Sequence, residues 1–500
     1  MKHISFYIKL FFLLSSFLFT AGCRSSKQQE KMWDNAAIQI YPPNPFYWQY
    51  KGKPVLLLGG SVDDNLFQIE DLREHLELLH SIGGNYVRCT MSSRDQGNVK
   101  PYVKTGELYD LDQPNPVYWN KFEELLSIAE ELDIIVQIEI WCPYDYYWGS
   151  HGWTQNPFNP KLNINYTVEN SQLPDSIDYP PQFKIQPFFQ TIPDVVNNRL
   201  VLSYQQKFVD QMLAISLNYA NVLYCIDNEN MMGVEWPKYW ADYIREKAQK
   251  NKRTIYVTEM WDKWDPSDGK VAGAITQTPD LGDWFAQYSN MELYATASVS
   301  NTIEDPQTYQ FVEVSNNNAQ RGEVHYQTAL YVRKVLENSG RPRPINNVKI
   351  YGSEDFDAIW AGPQKNAEEC FWRNIFAGHA SSRFHRPPHG LGLSQHAQCQ
   401  IKSLRMLTDA MDFFRHEPDN SVLGDREENE AYCLGLEGQE YAVYFTGKGQ
   451  VGLLVPIGKY ELRWLQIKKS QWTEPIIMEL PGELKTPTDD QWAVLIRRIE

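Results

Sequence analysis

The chain has 500 residues, 42% of them hydrophobic and 22% charged, a balance that excludes a disordered chain and a multi-span membrane protein. With 47 basic against 63 acidic side chains the net charge is −16, so nucleic acid is a poor partner for its field. The length exceeds the roughly 250–300 residues that one hydrophobic core can fill, so one large domain and a smaller one are expected.

At the start, Lys2 and Lys9 flank an apolar run from Phe11 to Phe19, followed by Thr20, Ala21, Gly22 and Cys23. The run is too short to span a bilayer and reads as a secretion signal. Thr-Ala-Gly-Cys resembles the lipobox of bacterial lipoproteins, which implies that Cys23 is lipidated; an ordinary cleaved signal is the alternative. Residues 1–23 are therefore expected to be a leader and 24–40 a polar tether. The chain would be exported across the inner membrane and anchored to a bacterial outer membrane, in the periplasm or at the surface. Six further cysteines show no CxxC and no regular spacing, and Cys89 and Cys225 sit in apolar strand-like runs. Buried free thiols fit this better than a disulfide framework.

From residue 54 onward, short apolar runs alternate with helical periodicities. Eight strands are predicted, over 54–60, 85–91, 133–140, 221–228, 254–260, 310–316, 348–354 and 381–386. Helices are predicted where apolar residues recur three and four apart, as at Leu72, Leu76 and Leu79, at Val201, Tyr204, Phe208, Met212 and Ile215, and at Ile401, Leu404, Met411 and Phe414. The stretch 263–309 is loop-like and shows the weakest helical pattern. Runs such as VLLLGG and IIVQIEI are apolar on both faces, as buried parallel strands are. The expected fold is an α/β (β/α)8 TIM barrel over 41–418, with a doubly wound sheet as the alternative. One GxGxxG occurs, at Gly447, Gly449 and Gly452, but it leads into a strand rather than a helix, so it reads as a β-hairpin turn and not a dinucleotide site. After Pro418 the helical period disappears, and six short strands predict a small antiparallel β-sandwich over 419–500.

In such a barrel, catalytic groups lie at the C-terminal strand ends. The candidates there are Asp63 and Asp64, Arg88, Glu139 and Trp141, Asp227 to Glu229, Glu259 and Trp261, Glu313 and Asn316, Glu354 and Asp355, and His385 and Arg386. Two carboxylates flanking a glycosidic bond suffice to hydrolyse it, one donating a proton and the other attacking. The run Tyr-Cys-Ile-Asp-Asn-Glu-Asn at 224–230 resembles the strand-four Asn-Glu of the retaining glycoside hydrolase superfamily that includes cellulases, β-galactosidases and β-mannanases. The resemblance implies that Glu229 is the acid/base and that Asn228 binds the sugar 2-hydroxyl. It also implies that Glu354, in KIYGSEDF, is the nucleophile, with Asp355 as its rival, and that Arg88 keeps that nucleophile ionised. It extends to the end of the chain for apiosidase-like bacterial lipoproteins, which carry a C-terminal β domain. This sequence departs from the pattern at strand six, where FVEVSNNN offers no Tyr, at strand eight, where SSRFHRP offers no Trp, and at strand three, where Glu139 or Trp141 replaces a His.

The loop 142–196 holds 11 aromatic residues in 55, among them Tyr144, Tyr146, Tyr147, Trp148, Trp153 and Phe158. Flat rings suit the C–H faces of sugars, whereas a loop that packs over the barrel top is the plainer alternative. The spacing of His385, His389, His396 and Cys399 lacks the companions of a zinc site, so no metal is expected. The reading is a monomeric, lipid-anchored glycoside hydrolase acting with retention on a polysaccharide-derived oligosaccharide and requiring no cofactor. Its carboxylates would be Glu229 and Glu354, about 5–5.5 Å apart. Asn228, Arg88, Asp63, Trp141, Tyr144, Trp261, Asn316 and His385 are its expected substrate-binding residues. A non-catalytic glycan-binding lipoprotein on the same scaffold is the alternative, and a lyase or metal-dependent hydrolase using the histidines is a third reading.

Overall fold

The computed structural model describes residues 36–149, 152–180, 184–229, 232–260, 299–315, 320–353 and 361–500. Cys23, Trp261, Asn316, Glu354 and Asp355 lie outside the described residues. No described helix is long and apolar enough to cross a membrane.

Eight parallel segments follow one another around a barrel: β1 (Leu57–Gly60), β2 (Tyr86–Thr90), β3 (Ile135–Trp141), β4 (Val222–Asp227), β5 (Val257–Thr258), β6 (Val312–Glu313), β7 (Ile345–Asn346) and β8 (Ser381–Phe384). Six form one continuous sheet, ordered β5, β4, β3, β2, β1, β8, and β6 pairs with β7. Hydrogen bonds on either side of the β6–β7 pair close the ring. Gln310 N donates to Val257 O at 2.9 Å, and Ala380 N donates to Ile345 O at 2.8 Å. Around the ring lie α1 (Leu72–Ser81), α2 (Pro116–Glu131), α3 (Arg199–Ser216), α4 (Glu235–Lys250), α5 (Gly322–Asn338), α6 (Gln364–Phe376) and α7 (Gln395–Asp409). Asn115 and Asn198 cap α2 and α3, each accepting from a backbone N–H of the first turn, which satisfies donors that have no helical partner.

Three sequence expectations are corrected in detail. The first predicted strand is divided: Lys53–Val55 pairs with Trp48–Tyr50 outside the barrel, and only Leu57–Gly60 joins it. The seventh ladder begins earlier, at Ile345, and its continuation touches β8 through an isolated bridge at Ile350. The last helix ends at Asp409, while Met411 and Phe413 remain buried beyond it. There the apolar spacing outlasts the helix because Phe413 and Phe414 pack edge-on against Tyr47.

The barrel axis is filled by a polar chain. Trp48 Nε1 donates to Asn346 Oδ1 (3.0 Å), Asn346 Nδ2 to Tyr86 Oη (3.0 Å), and Tyr86 Oη to Gln137 Oε1 (2.6 Å). Gln137 Nε2 then donates to Glu313 Oε2 at 3.2 Å. Satisfied networks of this kind rigidify a core that would otherwise be penalised for burying polar groups. The tight approach of β1 to β2 requires glycine, since a Cβ at Gly59 would lie 1.8 Å from the Tyr86 carbonyl oxygen.

The C-terminal region consists of antiparallel strands β9 (Leu423–Gly424), β10 (Ala431–Leu436), β11 (Glu440–Phe445), β12 (Gln450–Gln466), β13 (Ile476–Lys485) and β14 (Trp492–Arg498). Two predicted strands merge into β12, whose register against β13 shifts between Leu453 and Gly458. The hairpin expected at Gly447 and Gly449 is not formed, because β14 lies between β11 and β12 in the sheet. The dinucleotide reading is still ruled out, since the glycines open a strand and not a helix. One face of these strands builds a core of its own around Val443, Leu453, Trp464 and Val494. The other face joins the barrel core, where Tyr444 stacks on Trp372 of α6 with centroids 4.9 Å apart and planes 12° apart.

Candidate active site

The alternation of side chains along each strand decides what faces the barrel mouth. On β4, Asp227 turns outward, and Trp236 Nε1 of α4 donates to its Oδ1 at 3.2 Å. Glu259, at the end of β5, accepts from Asp227 N at 3.2 Å. Burial pushes the Asp227 carboxyl well above its ordinary range, more strongly than its side-chain hydrogen bonds with Trp236 and Glu259 lower it. Asn228 turns inward, its backbone N–H held by Trp141 O at 2.8 Å. Glu229 would point away again in an extended strand, but its φ of 62° is left-handed. That costs a non-glycine residue roughly 1–2 kcal/mol and is characteristic of functional turns. The Glu229 carboxylate consequently meets Lys349 Nζ at 2.6 Å, and the same ammonium donates to Asn228 Oδ1. Lys349 is buried, with its side chain 2% exposed.

A second cluster lies across the mouth. Arg88 is fully buried, and its Nη2 sits 3.2 Å from Asp64 Oδ1 and 3.1 Å from Glu139 Oε2. Arg94 and Arg386 reach Asp64 Oδ2 at 3.0 and 2.8 Å. Burial opposes ionisation of Asp64, but Arg88, with His385, Arg94 and Arg386, outweighs it and holds this carboxyl well below the usual range. Glu139 is raised, because burial exceeds what Arg88 restores. Of the two carboxylates on Arg88, Asp64 is therefore shifted down and Glu139 up. Burial also pushes His385 well below its ordinary range, more than Asp64 raises it, and its Nδ1 lies 3.4 Å from Arg88 Nη1. Ser92 Oγ and Arg94 hold Asp145 at the edge of this cluster, at 2.7 and 3.6 Å.

The structure thus brings together Asn228, Glu229, Arg88 and His385 from the sequence reading. Asp63 sits beside them, but its Oδ1 is taken up by the backbone N–H groups of Asp64 and Asn65, at 2.6 and 3.3 Å, and it is Asp64 that binds the arginines. Trp141 is corrected. It is fully enclosed, its ring packed among Phe188, Phe208, Trp236 and Trp240, so it offers no face to a ligand. Tyr146, Tyr147, Trp153 and Phe158 are likewise buried, and Tyr146 stacks on Phe188 with centroids 4.2 Å apart. The long loop is a packed layer, and of its six named rings only Tyr144 and Trp148 are exposed, at 37% and 58%. Glu354, Asp355, Trp261 and Asn316 fall outside the described residues.

The histidines do not converge. His385 is in the mouth, whereas His396 lies on α7, 3.4 Å from Glu368. Among the described residues, no group of three or more His, Cys, Asp or Glu could hold a metal ion. The six described cysteines are free, five of them buried.

Lys349, Arg94, Asp145 and Tyr351 were not singled out by the sequence reading. A signal existed for Lys349 and Tyr351, polar residues alternating with Val348 and Ile350 in a strand-like run, which places them on the inner face of a barrel strand. Arg94 and Asp145 follow their strands in loops with no periodicity.

No protein-family model matches the chain, and no curated protein matches it. Solved structures do. A glycoside hydrolase of family 5 from Bacteroides vulgatus ATCC 8482 is 12% identical, covers 93% of this chain and 95% of its own, and superposes with a TM-score of 0.61. A second protein, described as a glycoside hydrolase, is 13% identical with a TM-score of 0.58, over 94% of this chain and 98% of its own. This chain has their fold. A TIM barrel followed by a β domain extends over almost the full length in both comparisons, so the C-terminal strands are part of the shared architecture. At such identity the likeness concerns the course of the chain and carries no residue roles.

Proposed function

We propose that this protein is a glycoside hydrolase that cleaves a polysaccharide-derived oligosaccharide with retention of configuration. The observation that carries the reading is the place of Asn228 and Glu229. They end the fourth strand of a barrel with a glycoside hydrolase fold, with the left-handed turn at Glu229 bringing its carboxylate into the mouth. Glu229 protonates the leaving oxygen, Glu354 attacks the anomeric carbon to form a glycosyl-enzyme, and Glu229 then takes a proton from the water that releases the sugar. Asn228 orients the substrate, and the Arg88–Asp64 cluster forms a rigid charged wall opposite. Tyr144 and Trp148 supply exposed ring faces for stacking. The lipidated Cys23 ties the enzyme to the outer membrane.

The test is a panel of 4-nitrophenyl glycosides and plant oligosaccharides offered to the wild-type chain, Glu229→Gln and Glu354→Gln, with the product anomer followed by NMR. Hydrolysis with retention in the wild type, and loss of about 10³-fold or more in each variant, is expected. Binding of sugar by all three with turnover by none would replace the enzyme with a glycan-binding protein. Loss of activity on chelation would replace the two-carboxylate chemistry with a metal.

A further inference from the structure

Lys349 follows β7 and lies inside the barrel between the outward Val348 and Ile350. A fully buried lysine is rare unless paired. Here its partners are the Asn228 and Glu229 side chains, 121 and 120 positions earlier in the chain, with Nζ 2.6 Å from Glu229 Oε1. Arg88, the neighbouring cation, is occupied by Asp64 and Glu139. We propose that Lys349 is a positioning residue for the proton donor: it selects which oxygen of Glu229 carries the proton, fixes the Asn228 amide, and sets the upper pH limit of turnover. This rests on the reading of Glu229 as the acid/base.

Three consequences follow from the contacts. With a permanent N–H donor on Oε1, the transferable proton resides on Oε2, so donation and later abstraction use one oxygen in one place, as a double displacement requires. With Lys349 on Oδ1 of Asn228, the amide nitrogen is turned the other way, where Cys142 Sγ lies 3.5 Å from it; this leaves Asn228 a donor towards the sugar. Finally, an ammonium in contact with a carboxylate favours its ionised form, so a neutral side chain at position 349 should let turnover extend to higher pH.

Other groups act on the pair from the surrounding strands. Arg88 of β2 and Tyr351, beyond β7, interact electrostatically with Glu229. Glu139 of β3 and His385, beyond β8, interact with Lys349, and Cys142 adjoins Asn228. Since Lys349 is the cation in direct contact with Glu229 among the described residues, its removal is expected to dominate the pH response.

The test uses the full chain and the 4-nitrophenyl glycoside that the wild type hydrolyses fastest. Rates are measured from pH 4 to 9 for the wild type, Lys349→Met, Lys349→Gln, Lys349→Arg and Glu229→Gln, with melting temperatures as a check on folding. In the two neutral variants the alkaline limb of kcat/KM should move upward by about one pH unit or more, with a lower plateau. Lys349→Arg should keep the wild-type limb. Loss of packing alone would lower the plateau without moving the limb. A wild-type limb in folded Lys349→Met and Lys349→Gln, alongside an inactive Glu229→Gln, would overturn the proposal while leaving the site reading intact. Full activity in Glu229→Gln would overturn both.

Discussion

Arg88 and Asp64 form the central ion pair of the barrel mouth, with a guanidinium nitrogen 3.2 Å from a carboxylate oxygen and both side chains no more than 4% exposed. Glu139 shares the same nitrogen, so one buried cation faces two buried acids. Replacing Arg88 with Met would leave both without their shared partner. The expected loss is about 3–5 kcal/mol of folding free energy, measurable by urea denaturation. A change under 1 kcal/mol would mean that Arg94 and Arg386 neutralise the site by themselves.

The polar chain along the barrel axis predicts a pH dependence of stability. Burial pushes Glu313 up to about 7, more than its hydrogen bonds from Ser315 and Gln137 lower it. Its folded state therefore binds a proton that the unfolded chain releases near 4.5. The stabilisation is complete below that pH and is lost as pH rises through about 7. The amplitude is at most roughly 3 kcal/mol. Glu313→Gln should flatten this part of the stability curve, which a series of melts between pH 4.5 and 7.5 reads directly.

Trp141 and Tyr144 stand three residues apart and should behave oppositely. Trp141→Ala opens a cavity among five surrounding rings and is expected to cost about 3–5 kcal/mol. Tyr144→Ala removes a half-exposed ring and should leave the melting temperature nearly unchanged while weakening oligosaccharide binding by roughly 5- to 10-fold. Calorimetry of both variants, with and without the oligosaccharide, separates the two.

The stacking of Trp372 on Tyr444 joins the barrel to the β domain through one continuous core. A chain ending at residue 418 would expose Trp372 and Phe376 of α6. It is expected to aggregate, as large uncovered apolar patches do. A soluble monomeric barrel by size-exclusion chromatography would contradict that.

The close approach at Gly59 gives the sharpest local test. Gly59→Ala forces a methyl group to 1.8 Å from the Tyr86 carbonyl oxygen, a backbone atom that cannot move without parting β1 from β2. The variant should be recovered unfolded, which circular dichroism would reveal. A native spectrum would mean that the strands separate at little cost.

Part of the barrel was legible from periodicity, because a strand buried on both faces tends to be apolar throughout, as the VLLLGG run is, whereas SSRFHR at 381–386 carries no such mark. The helix starts at Asn115, Asn198 and Ser394, which the structure supplies, follow a similarly local rule, since a side-chain cap serves the N–H groups beside it. The Asn228–Glu229 pair was legible from its position at a strand end. Less local features were not. The division of the first strand depends on Trp48–Tyr50 claiming Lys53–Val55, and the missing hairpin depends on β14 entering between β11 and β12 from the far end of the domain.

The sequence alone determined the alternation of strand and helix, the place of Asn228 and Glu229 at the end of the fourth strand, and the abundance of rings after β3, because each follows from neighbours a few positions apart. The tertiary structure decided which of those rings are core, which of Asp63 and Asp64 meets the arginines, and that Lys349 faces Glu229. Charge pairing joins groups as far as 322 positions apart, as with Asp64 and Arg386, and burial joins others as distant as Tyr47 and Phe414. Their energies depend on which surfaces exclude water together, and that is a property of the folded whole.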